Sequence, residues 1–425
     1  MSKFHIEGGR TLNGTVVPDG NKNEALPALA ACLLTDQKVT LERMPKIGDV
    51  LTLCDILRGL GAKIDWLDER TLEVECAEIK SFRPDAKLCE KVRASILLLG
   101  PLLARLNQVE LSLPGGDVIG ARRIDTHWEG ITTLGAELEL GTSIVGKVKK
   151  LKGAEIFLDE PSVTGTENIV MLAAVSEGKT TIHNAACEPH VVGLCRLLVA
   201  MGANIEGIGS NRLEIKGVSK LKGAKHKISA DFMEVGSFLC LGAIAKGKIT
   251  VKDVDVSDFR FILKTFNRLG INPDVGADFF TIDGTQARVI KKDLGERVPT
   301  IYSGPWPAYP TDLMSVAIVA ATQSEGTAIF FEKMFEGRMF FTDKLMAMGA
   351  TIILCDPHRI VINGPSPLFG ARMSSPDVRA GMGLLMAGLV AKGKSEIDNI
   401  HQIERGYSGI EQKLLSLGAA ISRKP

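Results

Sequence analysis

The chain has 425 residues, 45% hydrophobic and 24% charged, enough apolar material for a large core spread over roughly two or three domains. Its 51 Lys and Arg against 50 Asp and Glu leave a net charge of +1, and 5% of residues are aromatic. Neither a general nucleic-acid surface nor a base-stacking platform is expected, and any cationic site must be a local cluster. The eight cysteines form no CxxC pair and no His spacing completes a zinc site, so they read as free thiols in a reducing compartment, with no metal. Met1-Ser2-Lys3-Phe4-His5 lacks the pattern of a signal peptide, and the longest apolar runs, near 95–104 and 382–391, are too short to span a bilayer. A cytoplasmic protein without membrane insertion is expected.

In chain order, residues 4–19 read as two short strands, and a repeat begins after them. The phrase apolar residue, Gly, Ala, any residue, Ile recurs with variations six times, roughly every 70 residues. The copies are Leu60-Gly61-Ala62-Lys63-Ile64, Leu134-Gly135-Ala136-Glu137-Leu138, Met201-Gly202-Ala203-Asn204-Ile205, Leu269-Gly270-Ile271-Asn272, Met348-Gly349-Ala350-Thr351-Ile352 and Leu417-Gly418-Ala419-Ala420-Ile421. Around each, a small-residue helix (170–175, 235–245) leads through a turn to a β-branched strand (180–184, 249–254). A second, amphipathic helix (191–200) ends at the repeated glycine, and two short strands (203–208, 212–216) close the unit. The last copy stops one strand short, and His5-Ile6-Glu7-Gly8-Gly9 parallels Leu213-Glu214-Ile215-Lys216-Gly217. The N-terminal strands are therefore expected to pair with the last unit. This predicts an α/β protein of six units, three per domain, with domains 21–229 and 1–20 plus 230–425.

The start of each first helix carries polar groups: Lys22 and Asn23, Arg93, Ser162 to Thr166, Asp231 and Glu234, Thr311 and Asp312, Asp377 and Arg379. Ser162, Thr311, Asp231 and Asp312 also fit as ordinary caps. Lys22, Arg93 and Arg379 sit badly with the positive end of a helix dipole, which suggests an anion nearby; a solvated charged face is the bland alternative. Pro114-Gly115-Gly116-Asp117-Val118-Ile119-Gly120-Ala121-Arg122-Arg123 reads as a mobile lid within a loop at 112–125. Gly388-Leu389-Val390-Ala391-Lys392-Gly393-Lys394-Ser395 matches GxxxxGKS, but it runs from helix to strand, the reverse of a phosphate-binding P-loop.

These phrases, with Asn21-Lys22-Asn23-Glu24-Ala25-Leu26-Pro27, Val92-Arg93-Ala94-Ser95-Ile96, Thr166-Glu167-Asn168-Ile169, Tyr309-Pro310-Thr311-Asp312, Phe335-Glu336-Gly337-Arg338, Asp377-Val378-Arg379 and Ile403-Glu404-Arg405-Gly406-Tyr407, cover essentially the whole chain. The sequence resembles the UDP-N-acetylglucosamine 1-carboxyvinyltransferases. Their nearest relatives, the 5-enolpyruvylshikimate-3-phosphate synthases, share fold and chemistry; the Asn-rich first helix start and the Gly-Gly loop favour the sugar-nucleotide enzymes.

The resemblance implies a two-domain inside-out α/β barrel, the enolpyruvyl transferase fold, with the active site between the domains. It implies transfer of the enolpyruvyl group of phosphoenolpyruvate to the 3-hydroxyl of UDP-N-acetylglucosamine by addition–elimination, without cofactor or metal. Both partners are small molecules, and the step opens peptidoglycan precursor synthesis. By resemblance Lys22, Arg122 and Arg405 hold the phosphate, Arg338 and Arg379 the carboxylate, and Arg93 stays near this cluster. Asn23 orients the sugar and Asp312 is the general base. Arg122, Arg123, Asp125, Thr126, His127, Ser162, Val163, Thr164 and Met334 line the UDP-sugar site; His127 alone reads equally well as a packed, satisfied histidine.

Asp117 occupies a loop position where many family members have the cysteine that fosfomycin alkylates, and some natural members carry Asp. The resemblance makes Asp117 the general acid and implies fosfomycin resistance. A free Asp titrates near about 3.9, so keeping one protonated at pH 7 takes roughly 4 kcal/mol, which burial beside an anion supplies. Thr164 stands where glycine is usual, Phe232 where Arg is frequent and Trp306 where His is common. Another acceptor, such as shikimate 3-phosphate, and a catalytically silent UDP-sugar-binding paralogue are the alternatives.

Overall fold

All six repeated glycines have positive φ, from 79° at Gly270 to 114° at Gly61. Gly61 itself caps the Gly48–Leu60 helix in the left-handed conformation, which a Cβ disfavours. The repeated phrase is therefore a helix stop followed by a strand. In the third copy Pro189–Ala200 ends there and Asn204–Glu206 follows. The GxxxxGKS segment joins the Val378–Val390 helix to the Lys394–Asp398 strand, as a helix-to-strand turn.

The computed structural model describes residues 2–115 and 123–424. Its described residues form two compact units. One runs from Gly20 to Ser229; the other joins the residues up to Asp19 to those from Ala230 onward. Gly20 belongs with the segment that follows it, not with the N-terminal residues: a Cβ there would meet the Arg43 carbonyl oxygen at 1.8 Å.

Each unit wraps sheets around helices. In one, Met314–Thr322 packs against both Phe232–Ile244 and Val378–Val390. Every residue of Phe232–Ile244 and of Met314–Thr322 is buried. Such helices are apolar all round because they face neighbours on every side. In the other unit Leu99–Leu106 packs on Val163–Ala173, and Lys22–Ala31 on Pro189–Ala200. The strands alternate buried and exposed residues, as in Lys248–Lys252, so each sheet covers the helices with one face and meets solvent with the other. Each unit has its own hydrophobic core.

Among the described residues there are five four-stranded sheets and one three-stranded sheet. In the four-stranded ones an edge strand runs parallel to its neighbour, as Glu155–Phe157 does beside Lys179–His183, with a buried helix between them in sequence. Lys3–Glu7 pairs antiparallel with Lys394–Asp398 and Ala420–Lys424, completing the last unit's sheet. The second N-terminal strand does otherwise. Gly14–Val16 lies parallel to Lys248–Lys252, in the fourth repeat, not the last. Lys225–Lys227 reciprocates by pairing with Val39–Glu42 of the first repeat. The two segments that lead from one unit to the other have exchanged edge strands. Each strand stays with the unit the chain is leaving, while the helix after it belongs to the unit being entered.

Two glutamates fasten the ends of these segments. Glu24 is fully buried; its carboxylate accepts the Ser229 N–H at 3.1 Å and contacts His226 Nε2 at 2.8 Å. Glu234 accepts the Asp19 N–H at 2.8 Å and pairs with Lys413, which reaches Asp19 Oδ2 at 2.8 Å. No helix of the described residues is long and apolar enough to cross a membrane.

Candidate active site

Thr311 and Asp312 stand in a 3-10 turn, Thr311–Leu313, ahead of the Met314–Thr322 helix. Asp312 does not cap that helix. Its Oδ1 accepts Arg338 Nη2–H at 2.9 Å and its Oδ2 accepts Arg379 Nε–H at 2.9 Å. Both guanidiniums are buried, yet Arg338 Nε and Nη1 and Arg379 Nη1 have no hydrogen-bond partner among the described residues. A buried guanidinium N–H left open costs free energy, so three open nitrogens on two arginines that share Asp312 form a prepared seat for an anion.

Arg379 is held from several sides. It follows the Asp377 cap, whose Oδ1 accepts the N–H groups of Arg379 and Ala380. Its guanidinium lies 5.5 Å from the Tyr407 ring centre. Ser237 Oγ donates its one hydrogen to Met233 O at 2.7 Å, so it accepts from the Tyr407 hydroxyl at 3.0 Å. The Tyr407 oxygen is thereby left to favour the charge on Arg379. Burial opposes the charge on Arg379, but Asp312, Tyr407 and Asp231 outweigh it and hold the guanidinium above its ordinary range. Burial pushes the Asp231 carboxyl up, against the pull of Arg379.

Glu332, fully buried, braces the surroundings of Asp312. Its Oε2 accepts the Thr311 hydroxyl at 2.7 Å, and its Oε1 accepts the Ser303 hydroxyl and the Met334 N–H, each at 2.8 Å. Met334 is exposed just beyond it. Arg405 Nη1 donates to Gln402 Oε1 at 2.9 Å.

In the other unit Asn21 caps the Lys22–Ala31 helix through the Asn23 N–H. Lys22, on the first turn, has its ammonium 2.6 Å from Asp49 Oδ2. That carboxylate opens the Gly48–Leu60 helix, where a negative charge is favoured, and it offsets the misplacement of a cation at a helix start. Arg93 opens the 3-10 turn Arg93–Leu98, and its Nη2 reaches Arg123 O at 3.4 Å. Arg123 pairs with Asp125 at 3.0 Å, both exposed.

Asp125, Thr126 and His127 lie on the Asp125–Thr133 helix, so the predicted loop gives way to helix at Asp125. His127 is 1% exposed and both ring nitrogens are engaged: Nδ1 with Asn168 Nδ2 at 2.8 Å and Nε2 with Thr164 Oγ1 at 3.0 Å. Burial, with Arg93 adding to it, depresses its pKa to about 3. Ser162 caps Val163–Ala173 by accepting the Gly165 N–H. Asp117 and Arg122 lie outside the described residues. At the edge of that segment a Cβ on Gly115 would meet Glu90 O at 1.7 Å, so only glycine fits there.

The family profile of EPSP synthase (3-phosphoshikimate 1-carboxyvinyltransferase) matches residues 6–414. The UDP-N-acetylglucosamine 1-carboxyvinyltransferase of Borrelia garinii subsp. bavariensis is 52% identical over 424 residues, covering 100% of this chain and 99% of that protein. Its namesake in Bradyrhizobium diazoefficiens is 49% identical over 423 residues, covering 100% and 98%. The chain belongs to the UDP-N-acetylglucosamine 1-carboxyvinyltransferase family. Its fold is that of the enolpyruvyl transferases. NikO of Streptomyces tendae superposes with a TM-score of 0.89 at 24% identity, covering 100% of this chain and 99% of that one. EPSP synthase of Acinetobacter baumannii gives 0.77 at 18% identity, covering both chains fully at 100%.

Within this family member the structure brings Asp312, Arg338 and Arg379 together in one unit, and His127, Thr164 and Ser162 around one helix start in the other. Sequence reasoning missed Asp49, Glu332 and Asn168, the partners that hold these groups. Asn168 was visible only as part of the Thr166-Glu167-Asn168-Ile169 phrase, one of several polar residues in the first half of its helix. Asp49 at a helix start is indistinguishable from a routine first-turn acid.

Proposed function

We propose that this chain transfers the enolpyruvyl group of phosphoenolpyruvate to the 3-hydroxyl of UDP-N-acetylglucosamine, releasing inorganic phosphate, as the first committed step of peptidoglycan precursor synthesis in the cytoplasm. The observation that carries the reading is the pair of buried arginines, Arg338 and Arg379, that grip Asp312 and keep three guanidinium nitrogens open. A small dianion with a carboxylate fits that seat. Full-length relatives named for this reaction support the acceptor.

In this reading the substrate carboxylate takes the open N–H groups of Arg338 and Arg379, and Lys22, Arg122 and Arg405 hold the phosphate. Arg93 adds positive charge, and Asn23 orients the sugar. Arg123, Asp125, Thr126, His127, Ser162, Val163, Thr164 and Met334 serve the nucleotide sugar. The Asp312 carboxylate takes the proton of the 3-hydroxyl as the sugar oxygen bonds to C2. C3 gains a proton, for which Asp117 is the acid. Loss of a proton from C3 then re-forms the double bond as the C2–O bond to phosphate breaks.

The test is phosphate release from phosphoenolpyruvate with purified protein. Release that requires UDP-N-acetylglucosamine supports the proposal. Release that requires shikimate 3-phosphate instead, or nucleotide-sugar binding with no release, overturns it.

A further inference from the structure

The start of the Val163–Ala173 helix carries a hydrogen-bond chain whose direction is fixed from its far end. Asn168 Oδ1 accepts the Gly100 N–H at 2.9 Å, and Asn168 Nδ2 donates to Ile96 O at 2.8 Å. Those two bonds fix which end of the Asn168 amide is oxygen. The same Nδ2 therefore donates its second hydrogen to His127 Nδ1, 2.8 Å away. The His127 proton must then sit on Nε2, which donates to Thr164 Oγ1 at 3.0 Å. Thr164 receives a hydrogen bond from inside the protein, so its own hydroxyl hydrogen is free to donate outward.

A second observation marks the place as built for a ligand. Thr126, 2% exposed, has a hydroxyl with no partner among the described residues. That hydroxyl converges on the same helix start: a Cβ on Gly165 would stand 2.6 Å from Thr126 Oγ1 and 3.0 Å from Ser162 Oγ. An unpartnered buried hydroxyl beside the first turn of a helix suits an anionic group of oxygens.

We infer that Asn168 and His127 are positioning residues that present the Thr164 hydroxyl as a hydrogen-bond donor to the diphosphate of the nucleotide sugar. The inference rests on the acceptor reading above and assigns His127 an indirect role. The imidazole is not a cation for the phosphates but a neutral relay behind Thr164. Its low pKa agrees, since a ring depressed to about 3 stays neutral at every working pH. Glycine at position 164 would leave the relay with nothing to orient.

The experiment measures binding of UDP-N-acetylglucosamine and of UDP to the full chain by calorimetry, and KM for both substrates, in wild type, Thr164→Val and Thr164→Ser. Thr164→Val is expected to weaken both nucleotides about tenfold and raise the nucleotide-sugar KM alike, with the phosphoenolpyruvate KM and kcat within about twofold. Thr164→Ser should restore binding. Nitrogen NMR of His127 should show unprotonated Nδ1 and protonated Nε2 from pH 5 to 9. Unchanged nucleotide affinity in Thr164→Val overturns the inference, as does a loss confined to the nucleotide sugar and absent with UDP, or a proton on Nδ1. Protein that binds the nucleotides but releases no phosphate overturns the reaction while the binding data still judge the relay. Wild type that binds neither nucleotide overturns both.

Discussion

Glu24 and Glu234 occupy the same place in two different units, three residues after the helix caps Asn21 and Asp231, and each accepts the backbone N–H of the residue that ends a crossing segment. The backbone repeats the relation: Asn21 N–H donates to Ser229 O and Asp231 N–H to Asp19 O, each at 2.8 Å. A capping box normally returns its glutamate to its own cap residue. Here both reach the end of a crossing segment instead, so the cap of a helix and the anchoring of that segment are one structure. The partners differ, His226 for Glu24 and Lys413 with Asp19 for Glu234.

That difference gives the molecule a pH dependence. Burial pushes the Glu234 carboxyl up from 4.5 to about 7, with Lys413 pulling down and Asp19 pushing up. The native state then holds a proton that the unfolded chain has released. This contribution to stability is fully present below about pH 4.5 and is lost as pH rises through about 7. Glu234→Gln keeps an acceptor for the Asp19 N–H and removes the titration. Its unfolding midpoint should change less between pH 5 and 8 than that of wild type. Parallel curves for the two proteins would count against the assignment.

The grip of Arg338 and Arg379 on Asp312 predicts separable kinetic defects. Asp312→Asn keeps acceptor geometry at one oxygen but removes the base, and kcat should fall by about 10²- to 10⁴-fold with modest change in KM. Arg379→Lys keeps the charge but loses the planar fork, and the phosphoenolpyruvate KM should rise about tenfold or more. Steady-state kinetics with each substrate varied in turn checks both. An Asp312→Asn variant with wild-type kcat would remove Asp312 from the chemistry.

His127 should destabilise the protein in acid. Its pKa is depressed from 6.5 to about 3, chiefly by burial, so below pH 6.5 the unfolded chain takes up a proton the folded one refuses. The stability is fully present above about pH 6.5 and is lost as pH falls toward about 3, by about 2–3 kcal/mol at pH 4.5. Urea unfolding at pH 7.5 and 4.5 should show a smaller acid loss in His127→Gln than in wild type. An equal loss in both would mean that His127 is accessible to protons when folded.

Six glycine-terminated helices were legible in the sequence because a left-handed helix stop is a local requirement, met within a few residues of chain. The exchange of Gly14–Val16 and Lys225–Lys227 between repeats was not legible. Each strand carries the same alternation whichever partner it takes, and the choice is made by where the chain crosses. At the site, Arg338 and Arg405 came from the family resemblance alone, whereas Lys22, Arg93 and Arg379 stood out because cations at helix starts break a local rule. The residues that orient them did not. Asp49 fits the helix start it occupies, and Glu332 follows its strand as an ordinary acid; only their contacts with Lys22 and Thr311 give them a role.

A carboxylate at position 117 predicts resistance to fosfomycin. Fosfomycin inactivates by opening its epoxide onto a soft thiolate, and a carboxylate, or the carboxylic acid proposed for catalysis, is a far weaker nucleophile toward it. Wild-type protein should therefore keep full activity after prolonged incubation with fosfomycin, and Asp117→Cys should lose activity progressively and gain one drug adduct by mass spectrometry. Activity should also depend on the acid. In wild type, phosphate release should decline as pH rises and Asp117 loses its proton, whereas in Asp117→Cys the decline should move toward the higher pKa of a thiol, near about 8.5. Time-dependent loss of wild-type activity with the label on Asp117 would overturn the resistance. A pH profile that the substitution does not move would take the proton-donor role away from this residue.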